Sequence, residues 1–343
     1  MRAPGGEHSP ACGQESDRPF GSSMLQLFTD QRRYNPPMPR LLATISSLGD
    51  RDPAALTRTA LDLGFDAIAL DAPLYLPHWE GVRELLPREA VFSIELFLPY
   101  PRTLRPGAAP PFSAAAGDPE ARRDAQKQAI ETVLAAERKA IPFVRVPPIG
   151  LEGVSRAEWV SIRAGQPLAE ERRASFLARR GAEARHRLDS LRILLSRLLE
   201  AADRYGRTVL LVPGGFPDEA PSPRETEALL TEFRGAPLEV WLDTLRVSVA
   251  TGGASLEGLS LLDSLQAATV RDFEADGSAA EPATGELEPE WAAPILKAAG
   301  AWALDSAASS SPEALQAGLE WLRKLAEPPA PPEKSTRSSF LGI

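Results

Sequence analysis

Three stretches of the chain repeat one pattern: ALDLGFDAIAL over residues 60–70, ERKAIPFVRVPP over residues 137–148 and LLEAADRYGRTVLLV over residues 198–212. In each, a helical pattern gives way to a short apolar run that is typical of a buried strand. Strands that alternate with helices in this way pair in parallel, because each helix is the crossover that a parallel pair requires. The pattern therefore predicts an α/β protein built on a parallel sheet.

The alternation of strand and helix occurs eight times along the chain. The predicted strands cover residues 41–46, 65–70, 91–98, 142–147, 208–212, 238–243, 266–271 and 301–305. Eight such units in about this length close a single (β/α)8 TIM barrel. An open, doubly wound sheet is the structural rival, but no glycine-rich phosphate loop follows the first strand.

Helix boundaries are marked at several points. Ser222-Pro223-Arg224-Glu225 and Ser311-Pro312-Glu313 each place Ser at the N-cap, Pro at the first helical position and Glu in the first turn. After the sixth strand, the apolar pattern predicts a short helix around residues 256–262. A polar insertion is expected over about residues 150–171, before a long helix that ends near Tyr205.

Both ends of the chain differ in composition from residues 38–326, which carry the barrel pattern. Residues 1–37 are rich in Gly, Pro, Ser and charge, and residues 327–332 read EPPAPP. We expect disordered N- and C-terminal tails: a segment over residues 1–37, and a Pro-rich linker with a short tail over residues 327–343. The final apolar peptide, residues 339–343, suits docking to a protein partner, and a plain unstructured tail is the alternative.

Charge and cysteine content exclude several classes of protein. The 343 residues carry a formal net charge of -9 and the pI is about 5.1, which argues against nucleic acid as a partner. Cys12 is the only cysteine, so an internal disulfide and a cysteine-rich metal site are ruled out. The N-terminus lacks the apolar core of a signal peptide, and no apolar run is long enough to span a bilayer. We expect a cytoplasmic protein without a membrane partner.

Eight segments, taken in order and with their spacing, resemble a known family of barrels. They are ALDLGFDAIAL (60–70), ERKAIPFVRVPP (137–148), LLEAADRYGRTVLLV (198–212), SPRETEALL (222–230), LEVWLDTLRV (238–247), LQAATVRDF (265–273), TGELE (284–288) and LDS (304–306). The chain is similar to the xylose isomerase-like barrels, which include sugar isomerases and epimerases, inosose dehydratases and endonuclease IV. The resemblance covers about residues 41–325 and implies a site at the C-terminal ends of the strands.

The resemblance also implies where a metal would be held. In that family, carboxylates and a His at the ends of strands five to eight hold a divalent cation. The four positions fall on Val212, Asp243, Thr269 and Asp305, and Arg246 stands where the family often has a further His. Two carboxylates without an imidazole hold a metal only weakly. We therefore expect a divergent member with a degenerate metal site, with no metal and no cofactor.

Charged residues cluster at the same predicted strand ends. Strand alternation places Thr269 and Arg271 on one face, which the family's pattern makes the barrel interior. Arg271 is then expected beside Asp243 and Asp305, where it can form bidentate ion pairs. Asp243 and Asp305 are candidate catalytic proton acceptors, and Arg271 is a candidate for stabilising negative charge.

Four further residues are candidates for ligand binding: Arg246, Arg145, Asp272 and Glu95. Glu95 lies within the third strand, where a buried carboxylate must be paired. Arg145, at the end of the fourth strand, either reaches the mouth of the barrel or pairs with an acid such as Glu95. The rival interpretation of the whole cluster is a self-satisfied network of salt bridges. The Pro-Gly-Gly loop at residues 213–215 either offers its amides to an oxyanion or is a plain turn.

Two functions remain open at this stage. In the first, the barrel binds or converts a small sugar, polyol or carbonyl compound at its C-terminal face, as a sugar isomerase or epimerase without the usual divalent metal. In the second, the barrel is non-catalytic and acts as a binding or scaffold protein through its tails. Charged residues at the strand ends favour the first function, whereas Val212 and Thr269 at metal-ligand positions favour the second.

Overall fold

The computed structural model describes residues 38–45, 52–87, 90–100, 113–114, 118–163, 169–254, 260–274, 280–282, 284–285, 287–305 and 311–327. The strands are β1 (Arg40–Ile45), β2 (Ala67–Leu70), β3 (Val91–Glu95), β4 (Phe143–Val146), β5 (Ile149–Gly150), β6 (Thr208–Leu211), β7 (Glu219–Ala220), β8 (Leu238–Asp243), β9 (Leu265–Val270) and β10 (Ala301–Leu304). The helices are α1 (Pro53–Leu63), α2 (Leu76–Leu85), α3 (Pro119–Arg138), α4 (Arg156–Arg163), α5 (Ala169–Arg204), α6 (Pro223–Glu232), α7 (Thr244–Thr251), α8 (Pro289–Ala298) and α9 (Pro312–Ala326). Apart from Glu327, the predicted tails lie outside the described residues.

Eight of the described strands form a closed parallel barrel. Their order around the barrel is β1, β10, β9, β8, β6, β4, β3 and β2, and β2 pairs again with β1. The first and last strands close the sheet with Arg40 opposite Ala301 and Ala43 opposite Leu304. The predicted (β/α)8 barrel is therefore confirmed, with each barrel strand overlapping its predicted segment.

The interior of the barrel is filled unevenly. Its buried side chains are Leu42, Ala67, Ala69, Phe92, Leu210, Val212, Trp241, Ala267, Ala301 and Ala303. Large rings come from one side: Phe92 packs 4.7 Å from Phe143 and 6.0 Å from Trp241, measured between ring centroids. Alanines on β2, β9 and β10 complete the same cluster, and Trp241 also lines the cavity at the end of the barrel. The opposite faces of the strands form the larger core beneath the helices.

The helix starts follow the sequence signals. Ser222 accepts a hydrogen bond from the Glu225 amide, and Glu225 reaches back to the Ser222 amide, which completes a capping box. Ser311 accepts a hydrogen bond from the Ala314 amide at 3.1 Å. The longest helix, α5, is 36 residues long and strongly charged; no described helix is both long and apolar enough to cross a membrane.

The helix that directly follows β8 was not predicted from the sequence. It begins directly at Thr244, with Asp243 as its N-cap, and it ends at Gly252 in the left-handed conformation (φ 64°). Its sequence, TLRVSVAT, is rich in β-branched residues with low helix propensity, so the pattern did not indicate a helix. Of the predicted segment, residues 256–259 lie outside the described part of the chain, and residues 260–262 belong to a 3-10 helix over residues 260–264.

The expected polar insertion after β4 has structure of its own. The short strands β5 and β7 pair antiparallel, with Gly150 opposite Glu219. Helix α4 packs on α5, where Trp159 stacks on Phe176 with 5.2 Å between ring centroids. The β5–β7 pair joins the loops that follow β4 and β6, which brings Glu219 to the C-terminal end of the barrel.

Candidate functional site at the C-terminal mouth of the barrel

The parallel strands bring polar side chains together at one end of the barrel. Asp71, Arg271 and Asp305 directly follow β2, β9 and β10, whereas Glu95 and Asp243 are the last residues of β3 and β8. Because side chains alternate along a strand, each lies on the inward face. They surround a cavity of about 110 Å³, enough for several waters or a small ligand. Its lining residues are Thr44, Asp71, Glu95, Arg145, Pro147, Pro148, Val212, Trp241, Asp243, Arg246, Thr269, Arg271 and Asp305.

One side of the pocket is organised by Arg145. Its Nη2 contacts both the Asp71 Oδ1 and, at 2.7 Å, the Glu95 Oε2. The guanidinium lies 4.8 Å above the centre of the Trp241 ring, and its side chain is 7% exposed. Burial acts to lower the pKa of Arg145, but the two carboxylates outweigh burial and raise it. Arg145 is thus a fixed cation at the floor of the pocket, where it both lines the cavity and pairs with Glu95.

The other side is organised by Arg271. Its Nη2 lies 2.7 Å from the Asp305 Oδ2 and 3.3 Å from the Asp243 Oδ2. The backbone at Arg271 is held by Thr244, whose hydroxyl accepts from the Arg271 amide at 2.9 Å and donates to its carbonyl at 2.8 Å. Burial opposes the charge of Arg271, yet the two aspartates raise its pKa. The structure therefore brings Asp243, Arg271 and Asp305 together as the sequence predicted.

Arg246 extends this network towards the rim. Its guanidinium contacts Glu219, and its Nε lies 3.7 Å from the Asp243 Oδ2. Asp243 also accepts a hydrogen bond from the Arg246 amide at 3.2 Å, which caps α7. Arg156 continues the alternation of charge outside the pocket, 3.6 Å from Glu219. The result is a row of alternating charges that runs from the barrel centre to the insertion.

Asp272 is not brought into the pocket. Its Oδ1 accepts hydrogen bonds from the amides of Phe273 and Leu287, both at 3.0 Å, and its Oδ2 accepts one from Gly285 at 2.9 Å. The residue is 3% exposed. Its carboxylate thus satisfies the amides of the loop that follows β9, in place of the ligand contact that the sequence suggested.

The Pro-Gly-Gly loop packs against α7. A Cβ on Gly215 would collide with the backbone of Arg246, so only glycine permits this approach. The loop amides are occupied: Gly214 donates to the Pro221 carbonyl at 2.7 Å, and Gly215 and Phe216 donate to Glu219 at 3.0 and 3.2 Å. The loop therefore holds Glu219 in place, and its described amides are not directed at an oxyanion.

The residues at the metal-ligand positions do not suit a divalent cation. The Arg271 guanidinium occupies the space between the Asp243 and Asp305 carboxylates, where it supplies the positive charge itself. Thr269 accepts a hydrogen bond from the Trp241 indole at 2.8 Å, and Val212 has no ligand atom in its side chain. Across the described residues, no group of three or more His, Cys, Asp or Glu side chains is placed to hold a metal.

Sequence reasoning assigned neither Asp71 nor Glu219 to the pocket; it interpreted Asp71, at the end of the second strand, as a cap of the following turn. Burial, followed by the charges of Glu95 and Asp305, raises the pKa of Asp71 to about 7, although Arg145 acts in the opposite direction. The alternation of Ala67, Ala69 and Asp71 on β2 indicates the inward face, so that Asp71 could have been found from the sequence. No local pattern marks Glu219, because it reaches the mouth through pairing of β5 with β7.

Comparison with known proteins supports the fold and does not establish the function. No protein-family model and no curated protein matches the sequence. The 3-keto-D-glucoside 4-epimerase from E. coli is similar in structure, with a TM-score of 0.57 and 14% identity over 83% of this chain and 99% of that chain. A xylose isomerase domain-containing protein from Salmonella typhimurium LT2 has a TM-score of 0.54 and 13% identity, over 85% of this chain and 98% of that chain. An AP endonuclease of family 2 from Brucella melitensis has a TM-score of 0.53 and 16% identity, over 84% of this chain and 99% of that chain.

These structures differ in what their names say they do, and at such low identity the likeness concerns the fold. A sugar epimerase and an endonuclease share the barrel with this chain. The chain has the (β/α)8 TIM-barrel fold that its sequence predicted, and it shares this fold with these structures.

Proposed function

We propose that the chain binds a small, uncharged sugar, polyol or related carbonyl compound in the pocket at the C-terminal mouth of the barrel. If the ligand is converted, the reaction belongs to the isomerase or epimerase class and proceeds without a divalent metal. Carboxylates accept hydrogen bonds from ligand hydroxyl groups, and guanidinium groups donate to hydroxyl or carbonyl oxygens. A lining that alternates these two groups therefore matches a polyhydroxylated compound.

The carrying observation is that each guanidinium of the described pocket lining already contacts two carboxylates. Arg145 contacts Asp71 and Glu95. Arg271 contacts Asp243 and Asp305, and Arg246 contacts Glu219 and Asp243. A phosphate group would have to displace a carboxylate and leave it buried without a cation, which is costly. An uncharged ligand displaces no ion pair.

The metal-free part of the proposal is supported by Arg271. Its guanidinium can stabilise a developing oxyanion as a metal would, through charge and directed hydrogen bonds. Its Nε is buried and has no hydrogen-bond partner within the described part of the chain. A buried donor of this kind is expensive unless a ligand or water completes it.

Ligand binding can be tested by saturation-transfer NMR and calorimetry with D-fructose and D-xylulose, each compared with its phosphate ester. We expect the free sugars to bind more tightly than the esters. Arg271→Met should weaken sugar binding by at least about tenfold, or about 1.4 kcal/mol, whereas Arg197→Met on the exposed face of α5 should leave it unchanged. Tighter binding of the esters, or no binding of either free sugar, would contradict the proposal.

Metal content is a separate test of the same proposal. Protein purified without chelators should contain far less than one equivalent of Mn²⁺ or Zn²⁺ by elemental analysis. Sugar binding should be the same with and without EDTA. A stoichiometric metal would show that Arg271 does not replace a cation in this pocket.

The scaffold function remains the alternative. Its favouring observation is the ionic network itself, which pairs the charges of Asp243, Arg271 and Asp305 without a ligand. The predicted protein partner for the C-terminal tail concerns residues outside the described part of the chain. A protein that binds none of the sugars, while its tail captures a partner, would favour this alternative.

A further inference from the structure

The pocket contains four carboxyl groups in its described lining, and their surroundings differ. Both carboxylate oxygens of Asp243 have partners: Oδ1 accepts the hydrogen bond that caps α7, and Oδ2 contacts Arg271. Asp305 contacts Arg271 at 2.7 Å, and its side chain is 10% exposed. Glu95 is 14% exposed and contacts Arg145 at 2.7 Å. Asp71 is the most exposed of the four, at 24%, and it borders the cavity.

The contacts of Asp71 leave one oxygen available. Its Oδ1 contacts Arg145, whereas no hydrogen bond of its Oδ2 is formed with any described residue. Arg145 cannot follow a moving ligand, because it is buried against Trp241 and also holds Glu95. Asp71 therefore borders the cavity from a fixed position, with one carboxyl oxygen outside its ion pair with Arg145.

We propose that Asp71 is the acid–base residue of this pocket, with Arg145 and Glu95 acting as positioning residues for its carboxyl group. The inference rests on the proposed function, since it requires a bound sugar with a carbonyl group. It assigns the proton transfer to Asp71 in place of Asp243 and Asp305, which the sequence had suggested as proton acceptors.

The electrostatics of the cluster support this assignment. Two carboxylates share one nitrogen of Arg145, so the single cation cannot fully neutralise both. The groups facing Asp71 are Arg145 on β4, Glu95 on β3, Asp305 after β10 and Arg271 after β9. Burial, opposed by Arg145 and assisted by Glu95 and Asp305, raises the pKa of Asp71 to about 7. A group with a pKa near neutrality is both a competent base and a competent acid.

The proton transfer is balanced without a further reactant. The Asp71 carboxylate takes a proton from the carbon beside the ligand carbonyl. The electrons of the C–H bond form a carbon–carbon double bond, and those of the carbonyl pass to its oxygen, which gives an enediolate. Asp71, now a carboxylic acid, returns a proton to the same carbon, which restores the carbonyl. Return to the neighbouring carbon gives the isomer: the hydroxyl proton of the enediolate passes to the former carbonyl oxygen, and the other oxygen becomes the new carbonyl. Arg271 lies on the other side of the pocket and can stabilise the enediolate oxygen.

The test measures proton exchange and binding separately. The full chain is incubated with D-fructose or D-xylulose in D2O, and NMR follows deuterium uptake at the carbon atoms beside the carbonyl. We expect Asp71→Asn to lower the exchange rate by at least about 100-fold while probe affinity stays within about threefold. Asp62→Asn is the matched control, because it makes the same change on an exposed face of α1.

A pH profile separates acid–base chemistry from a merely structural role. The exchange rate of the natural sequence should rise with a midpoint near pH 7, as Asp71 ionises. Glu95→Gln should move the midpoint to lower pH, because the charge of Glu95 raises the pKa of Asp71. This profile decides the matter alone if Asp71→Asn does not fold.

Three results would overturn the inference. Exchange by Asp71→Asn at the unchanged rate would do so, as would an unmoved midpoint in Glu95→Gln. Binding of the sugars by the natural sequence without any deuterium uptake would overturn it too, while leaving the proposed binding function intact. Absence of sugar binding would instead overturn the proposed function, and the inference with it.

Discussion

A guanidinium between two carboxylates is the repeating unit of this pocket, and it appears around Arg145, Arg271 and Arg246. Each unit places three charged groups within contact distance in a partly buried space. A surplus of carboxylates over cations results. Burial, together with the charges of Glu95 and Asp305, raises the pKa of Asp71. Its protonation is therefore linked to the stability of the barrel as well as to chemistry.

The stability of the natural sequence should depend on pH through Asp71. Its pKa is about 7 in the folded chain, against 3.8 for an ordinary aspartate. The folded state keeps a proton that the unfolded state has released, so this contribution is fully present below about pH 4 and is lost as pH rises to about 7. Relative to Asp71→Asn, the free energy of unfolding should fall by at most about 1.4 kcal/mol per pH unit across that window.

Urea unfolding of both proteins at several pH values between about 5 and 8 checks this. The difference in unfolding free energy should grow in favour of Asp71→Asn as the pH rises to about 7, and it should level off above that pH. A difference that stays constant would show that Asp71 titrates normally in the folded protein.

At the residue scale, the sequence predicted several residues of the pocket lining but did not predict which neighbours satisfy their carboxylates. Asp243, Arg271 and Asp305 were identifiable because they end or follow strands with a clear inward face. Asp272 follows Arg271 directly, yet its carboxylate binds loop amides of residues 273, 285 and 287. Which neighbour satisfies a carboxylate depends on loop geometry, and spacing along the chain carries little information about it.

At the element scale, α7 couples the site to the fold. The helix begins where β8 ends, so Asp243 serves both as its N-cap and as an ion-pair partner of Arg271. The sequence did not predict this helix, because its β-branched residues have low helix propensity and the stabilising cap is also the candidate site residue. Strands and the longer amphipathic helices were predicted well, since their packing imposes a clear periodicity.

Two substitutions at Asp243 should separate the cap from the charge. Asp243→Ala removes both, and we expect a loss of about 2–4 kcal/mol of unfolding free energy, because Arg271 keeps only Asp305 as a partner. Asp243→Asn retains a side-chain oxygen for the Arg246 amide and should be about 1 kcal/mol more stable than Asp243→Ala. Chemical denaturation of the two variants and the natural sequence measures both differences. Equal stability of the two variants would show that the cap contributes nothing.

At the scale of the whole molecule, barrel closure makes the site depend on distant parts of the chain. The pocket draws residues from every barrel strand or the loop after it, from Thr44 to Asp305. Eight repeats of strand and helix predicted this closure, because the number of repeats is a property of the sequence as a whole. The charges around Glu219 were not predictable in the same way, since they depend on the pairing of β5 with β7.

A truncated chain spanning residues 38–327 should keep both the fold and the pocket. The strand pairs that close the barrel lie between Arg40 and Leu304, and the last helix, α9, ends at Ala326. We expect the melting temperature to remain within a few degrees of that of the full chain, with unchanged affinity for D-fructose.

Removal of α9 as well is the contrasting variant, because it uncovers Leu315, Leu319 and Leu322, each 0% exposed in the intact barrel. Uncovering three buried leucines costs roughly 1.5–3 kcal/mol for each, enough to abolish cooperative unfolding in a domain of ordinary stability. Circular dichroism and calorimetry distinguish the two outcomes. Loss of sugar binding in the 38–327 chain would mean that a tail contributes to the pocket, which would refute the separate docking role predicted for residues 339–343.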